Sequence, residues 1–148
     1  MEKEKVEKIE YAGIFLDKES SEKLKSLIPD WLKCQPRYRE IKNEHVTIFF
    51  HTDMPESMVE YAEKSEGKPH SIEIDGIGLS NKVIAVRVKS CRNDVNGEET
   101  PSTNKRRHIT LTVFNNGRPV MSNLIDTWFS IPPISLSGYG KIVYKYDV

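Results

Sequence analysis

Hydrophobic and polar residues alternate in short blocks along this chain, and each block predicts an element. Residues 9–16 (IEYAGIFL) are apolar and aromatic, and predict a strand. Asp17 then offers a helix cap. Leu24, Leu27 and Ile28 fall on one face of a helix over 18–28, and Pro29 ends it. Residues 31–40 are polar and irregular. Residues 44–50 predict a second strand. A second helix, over 56–64, opens after Met54-Pro55 and is closed off by Gly67 and Pro69. Residues 71–79 and 83–88 read as alternating strands about a turn at Ser80, Asn81 and Lys82, and predict a hairpin. Residues 92–107 (RNDVNGEETPSTNKRR) have almost no apolar members and predict a mobile surface loop, an insertion or a lid. A strand is expected at 107–114, with a turn at Asn116-Gly117. A short helix is expected at 120–129 with Trp128 packed inward, then a break at Pro132-Pro133 and a last strand at 135–146. The charged leader, residues 1–8, is expected to fray. The mixture of several strands, two of them a hairpin, and few helices is an α+β pattern.

One pair of strands departs from ordinary patterning. HVTIFF at 45–50 is echoed by HITLTV 63 residues later. The echo predicts two related halves around a shared groove. Strand side chains alternate between faces. That places His45 with Thr47 on one face, together with Phe49, and His108 with Thr110 and Thr112 on another. The interleaved Val46, Ile48 and Phe50, and Ile109, Leu111 and Val113, are expected to pack behind them. Two imidazoles titrating near neutral pH can remove a proton from an attacking oxygen and return one to a leaving oxygen. Each threonine hydroxyl can donate to a non-bridging phosphate oxygen. The arrangement calls for no metal. The alternative is a pair of ordinary strands whose polar faces meet water, but only four histidines occur in the chain and two fall in this pattern.

Composition narrows the field. The chain has 148 residues, which suits one domain spanning the whole length, with 22 basic and 22 acidic residues and no formal net charge. That balance argues against broad binding to long duplex nucleic acid and leaves room for a local phosphate pocket. Lys105-Arg106-Arg107, just before His108, is either a positive flank for a phosphate-bearing ligand or a solvated loop end. Cys34 and Cys91 make no CxxC unit and read as reduced thiols. His51 and His70 read as surface residues, and their spacing with His45 matches no common metal-ligand pattern. The first ten residues carry no apolar signal core and no run approaches the ~20 apolar residues of a membrane span. The expectation is therefore a cytoplasmic protein with no membrane partner.

The two HxT motifs, HVTI at 45–48 and HITL at 108–111, and their spacing resemble the 2H phosphoesterase superfamily over most of the chain. YAGIFLDKES (11–20) and GRPVMSN (117–123) resemble segments of a branch holding RNA-repair-like proteins and viral nucleases of cyclic oligonucleotides. The resemblance implies two lobes of antiparallel sheet around a central cleft with helices outside, His45 and His108 as the acid–base pair, Thr47 and Thr110 as phosphate-holding residues, and no cofactor or metal. Tyr11 matches an aromatic position that can stack on a base, or is a half-buried strand tyrosine. Lys141 stands about where relatives place an acidic base-reading residue, which leaves base preference open. The implied function is hydrolysis of cyclic di- or oligonucleotide messengers such as cGAMP, which would blunt nucleotide-based immune signalling and would suggest a viral source. The alternatives are opening of RNA 2′,3′-cyclic phosphates, trimming of 2′–5′ oligoadenylates, or a nucleotide-binding module without turnover.

Overall fold

The computed structural model describes residues 6–41 and 44–147. Its strands are β1 (Val6–Leu16), β2 (Arg39–Glu40), β3 (His45–Phe50), β4 (Pro69–Leu79), β5 (Val83–Asn93), β6 (His108–Val113) and β7 (Trp128–Asp147). They hydrogen-bond into one seven-stranded sheet, in the order β2-β6-β5-β4-β7-β1-β3. Every pairing is antiparallel. Two α-helices, α1 (Lys18–Lys25) and α2 (Glu56–Ser65), and two 3-10 helices, Asp30–Cys34 and Pro119–Leu124, complete the described chain. The α+β expectation stands. β7 links the two groups of strands, pairing with β4 through residues 128–139 and with β1 through residues 138–147.

Burial explains the layering. Leu24 from α1, Leu32 from the first 3-10 helix and Tyr61 and Ala62 from α2 pack in one large core with Ile14, Ile48, Ile72 and Ile109 from the sheet. Asp17 caps α1 by accepting the Ser20 amide at 2.8 Å. Within β5, Ile84 and Val86 join this core, so alternation sends Val83 and Ala85 to the opposite face. There a smaller cluster forms with Val113, Ile125 and Trp128, beside the second 3-10 helix.

Several expectations give way to tertiary context. No helix spans 120–129: a 3-10 helix covers Pro119–Leu124, and Trp128 already opens β7. Pro132-Pro133 does not break that strand. The β4–β7 register runs from Ile74↔Ile134 to Gly76↔Ser130, so the prolines sit in a bulge where no ladder amide is needed. Only residues 1–5 of the charged leader lie outside the described residues at that end, and β1 already begins at Val6. A second bulge changes which side chains face the cleft. Tyr11 pairs with Phe50 and Ala12 with Phe49, but Gly13 pairs with Thr47, which leaves Ile48 as the extra residue. Phe49 is therefore fully buried, while Phe50 is 41% exposed on the side of His45 and Thr47, the reverse of strict alternation.

The segment expected as a loose loop is shorter and well tied. β5 continues to Asn93, and the Thr100 amide bonds the Cys91 carbonyl at 2.7 Å. Glu99 accepts from the Cys91 amide at 3.1 Å and pairs with Arg92 and Arg107. The chain then reaches the outer edge of β3. Ser102 Oγ donates to the Thr47 carbonyl at 2.7 Å, and the Thr103 amide donates to the Ile48 carbonyl at 2.8 Å. Residues 102–103 are thus a strap that brings β3, at one end of the strand order, against β6, near the other. Ser102→Ala is expected to lower the unfolding free energy by about 1 kcal/mol in urea titration and to speed hydrogen exchange at the Thr103 amide. An unchanged exchange rate there would show that the strap does not hold β3.

Candidate functional site

The curl of the sheet makes a cleft between β3 and β6. A cavity of about 90 Å³ lies in it, lined by His45, Thr47, His108 and Thr110 together with Phe50 and Asn104. The four residues singled out by the paired motif thus meet at one place. Thr112 does not join them. The β5–β6 register slips between Ile84 and Ala85, and Thr112 is fully buried with its hydroxyl donating to the Arg39 carbonyl at 2.6 Å.

His45 is mounted by its neighbours on β1. Phe15 is its register partner, and the two rings stack at 4.8 Å between centroids with a 20° interplanar angle. Tyr11 stacks on the same imidazole at 5.1 Å. Between these aromatics stands Gly13, where a Cβ would lie 2.7 Å from the Val46 carbonyl oxygen and 3.0 Å from His45 Cδ2. Only a residue without a side chain leaves the ring room to lie there. The start of β3 is pinned as well. Glu44, just before His45, is 2% exposed; its carboxylate accepts from Ser21 and pairs with Lys25 at 3.3 Å.

His108 is 8% exposed, and its Nδ1 lies 2.9 Å from the Arg106 carbonyl. A carbonyl only accepts, so Nδ1 carries the proton and the neutral ring presents Nε2 as a proton acceptor. Burial lowers the His108 pKa from the usual histidine value, and the bond to Arg106 only partly offsets it. Thr110 Oγ1 lies 2.8 Å from Ser122 Oγ and 3.4 Å from the Pro119 carbonyl, so the second 3-10 helix orients this hydroxyl.

Tyr11 and Lys141 lie beside the cavity without lining it. Tyr11 packs on His45 and on Phe50, at 5.6 Å. Lys141 pairs in register with Gly13, in the same row as Thr47, and holds its ammonium 5.5 Å over the Phe15 ring. The basic flank divides its roles. Arg107 is tied to Glu99 and to the Lys89 carbonyl, whereas Lys105 and Arg106 border open space. Gly13, Phe15, Phe50, Asn104 and Ser122 were not singled out by the motif. Gly13 alone carried a signal, as a glycine inside an apolar strand run.

The remaining candidates fall away from the cleft. His51 is exposed, but His70 is not a surface residue: it is fully buried in β4, with Nδ1 donating to the Lys68 carbonyl at 2.9 Å and Nε2 3.0 Å from Tyr61 Oη. Among the described residues, no group of three or more His, Cys, Asp or Glu is placed to hold a metal ion. Both cysteines are free thiols, and burial pushes that of Cys91 up to about 11. Among the described residues no helix is long and apolar enough to cross a membrane.

Burial of His70 and His108 as neutral rings has a thermodynamic consequence. Both have lowered pKa values, chiefly from burial. The unfolded chain therefore takes up protons near pH 6.5 that the native chain refuses. The stability they contribute is complete above that pH and falls as pH drops through it towards the native values. The urea midpoint is expected to be lower at about pH 5.5 than at about pH 7.5, with the His70 and His108 ring protons titrating below the ordinary histidine value by NMR. Ordinary titration of both would contradict this account.

No protein-family model and no curated protein matches the chain. Solved structures do. One of them, a fungal RNA kinase, superposes with a TM-score of 0.64 at 12% sequence identity, over 93% of this chain and 46% of its own. The chain thus spans under half the length of that structure, and what they share is the fold.

Proposed function

We propose that the chain is a 2H-type phosphoesterase, two halves of one curled sheet around a catalytic cleft, that cleaves phosphodiester bonds of a nucleotide or RNA-derived substrate. One observation carries this reading: His45, Thr47, His108 and Thr110, from strands far apart in the sheet order, line the same small cavity. His108, neutral with Nε2 as acceptor, serves as the base. It takes the proton from a water or a ribose 2′-hydroxyl as that oxygen attacks phosphorus. His45, in its protonated form, gives a proton to the departing ribose oxygen as the P–O bond breaks, so one proton enters the site and one leaves. The Tyr11 and Phe15 faces suit a cationic imidazole, because ring faces are negative. The hydroxyls of Thr47 and Thr110 donate to the non-bridging oxygens as charge gathers there, with Ser122 holding the Thr110 oxygen in place. This chemistry asks for no metal.

The likeness to a fungal RNA kinase agrees with a substrate drawn from RNA or nucleotides. Cyclic oligonucleotide messengers rest on the sequence resemblance alone. None of the cleft residues selects a cyclic ligand over a linear one, so the substrate class is kept at nucleotide phosphodiesters.

Linear and cyclic dinucleotides, 2′–5′ oligoadenylate and nucleoside 2′,3′-cyclic phosphates, incubated with EDTA and resolved by chromatography, test this directly. Cleavage of at least one is expected, with His45→Ala and His108→Ala each slowing it about 10²–10⁴-fold. The acid limb of kcat/KM is expected below the ordinary histidine pKa, because His108 must be deprotonated to act as base. Turnover of none, or full activity in either alanine variant, would overturn the proposal.

A further inference from the structure

A second, larger cavity of about 490 Å³ adjoins the histidine cleft. Asn104 and Asn123 line both, so the two spaces are neighbours. The larger one joins three kinds of group. Trp128 presents an aromatic face. Lys105 and Arg106 bring positive charge, and the Arg106 guanidinium stands 5.3 Å over the Trp128 ring centroid. Asn104 and Asn123 add side-chain amides, each both donor and acceptor.

The aromatic group is held in place before any ligand arrives. Trp128 Nε1 donates to the Ile125 carbonyl at 3.2 Å. Its ring lies directly over Gly78, where a Cβ would come within 2.7 Å of two ring carbons. Such a glycine serves the close approach of an indole, and the indole then supports the guanidinium. Planar guanidinium and indole faces stack on nucleobases, and amides match the mixed donor and acceptor edges that bases offer. A volume of this size suits one nucleotide.

We propose that this cavity is a nucleotide subsite, in which a base stacks on the Arg106–Trp128 pair, Asn104 and Asn123 meet its polar edge, and Lys105 neutralises a phosphate. The inference rests on the phosphodiesterase reading of the adjoining cleft. It narrows the substrate: a phosphodiester seated between the histidines carries a further nucleotide on the side of Trp128, so the preferred substrate has at least two nucleotides. A nucleoside 2′,3′-cyclic phosphate would fill the cleft and leave this subsite unused.

Two measurements separate this inference from the catalytic one. In the first, kcat/KM is compared for the dinucleotide ApA and for adenosine 2′,3′-cyclic phosphate. Arg106→Ala and Asn123→Ala are expected to cut the value for ApA about tenfold more than that for the mononucleotide, a size typical of one base-stacking contact. Equal losses on both substrates would overturn the subsite. In the second, Trp31→Phe leaves Trp128 as the single tryptophan; Trp31 is 66% exposed, so the change is mild. ApA is expected to quench Trp128 emission saturably, and Arg106→Ala to weaken that binding about tenfold. Saturable, Arg106-dependent quenching without any turnover would sink the catalytic reading and keep the subsite. Turnover without quenching, and without an Arg106 effect on the substrate ratio, would do the reverse.

Discussion

Everything in the cleft depends on two hydrogen bonds at the outer edge of β3. The Thr47 and Ile48 carbonyls accept from Ser102 and Thr103. Without these contacts β3 would be an open edge strand carrying His45 and Thr47, and β6 with His108 would stand across a gap from it. An edge carbonyl loses little by facing water, so each bond contributes only about 1 kcal/mol. Their importance is geometric: they set how far the sheet curls, and so the space between two side chains that share no strand pairing.

His45 and His108 reach that space by different means, and the difference fits a division of labour. His108 is buried and its Nδ1 is committed to a backbone carbonyl, which leaves one nitrogen with acceptor character. His45 lies against two neighbouring aromatic rings over a glycine, held by stacking and by the anchoring of Glu44 next to it. A fixed tautomer suits a group that must receive a proton. A ring held by π-faces suits one that carries charge. Tyr11, read either as a platform for a base or as a half-buried strand tyrosine, packs on His45, and Trp128, expected to pack inward, packs on the smaller cluster and also carries Arg106 over its ring.

The strands and the paired motif were legible because alternation is a local property. Residues 71–79 repeat their burial with a period of two, whereas 83–86 are buried on both faces; the structure lengthens both strands. The motif residues converge because the same alternation that packs Val46 and Ile109 into the core turns their neighbours toward the cleft. What was hidden is what depends on partners. The bulge opposite Ala12 and Gly13 exchanges Phe49 for Phe50, and no local pattern announces a bulge. His70 looked like a surface residue because the Tyr61 hydroxyl that satisfies it lies in another element. The polar run at 92–107 looked free because its bonds go to backbone carbonyls of β5 and β3, which carry no compositional trace. Pro132-Pro133 looked like a break because the bulge that accommodates it belongs to the pairing with β4.

The twenty residues of β7 supply none of the histidines or threonines, yet they join the two parts of the sheet: residues 128–139 pair with β4 and residues 138–147 with β1. The strands bearing the two motifs therefore have no common ladder until the last strand of the sequence is inserted between them. Such non-local pairing is slow, because most of the chain must be ordered before it is rewarded. A fragment ending before Trp128 would hold both motifs and the strap, yet lack the strand that links their two parts of the sheet. In this molecule the cleft would be among the last things to form, so its presence is itself a report that the whole sheet has assembled.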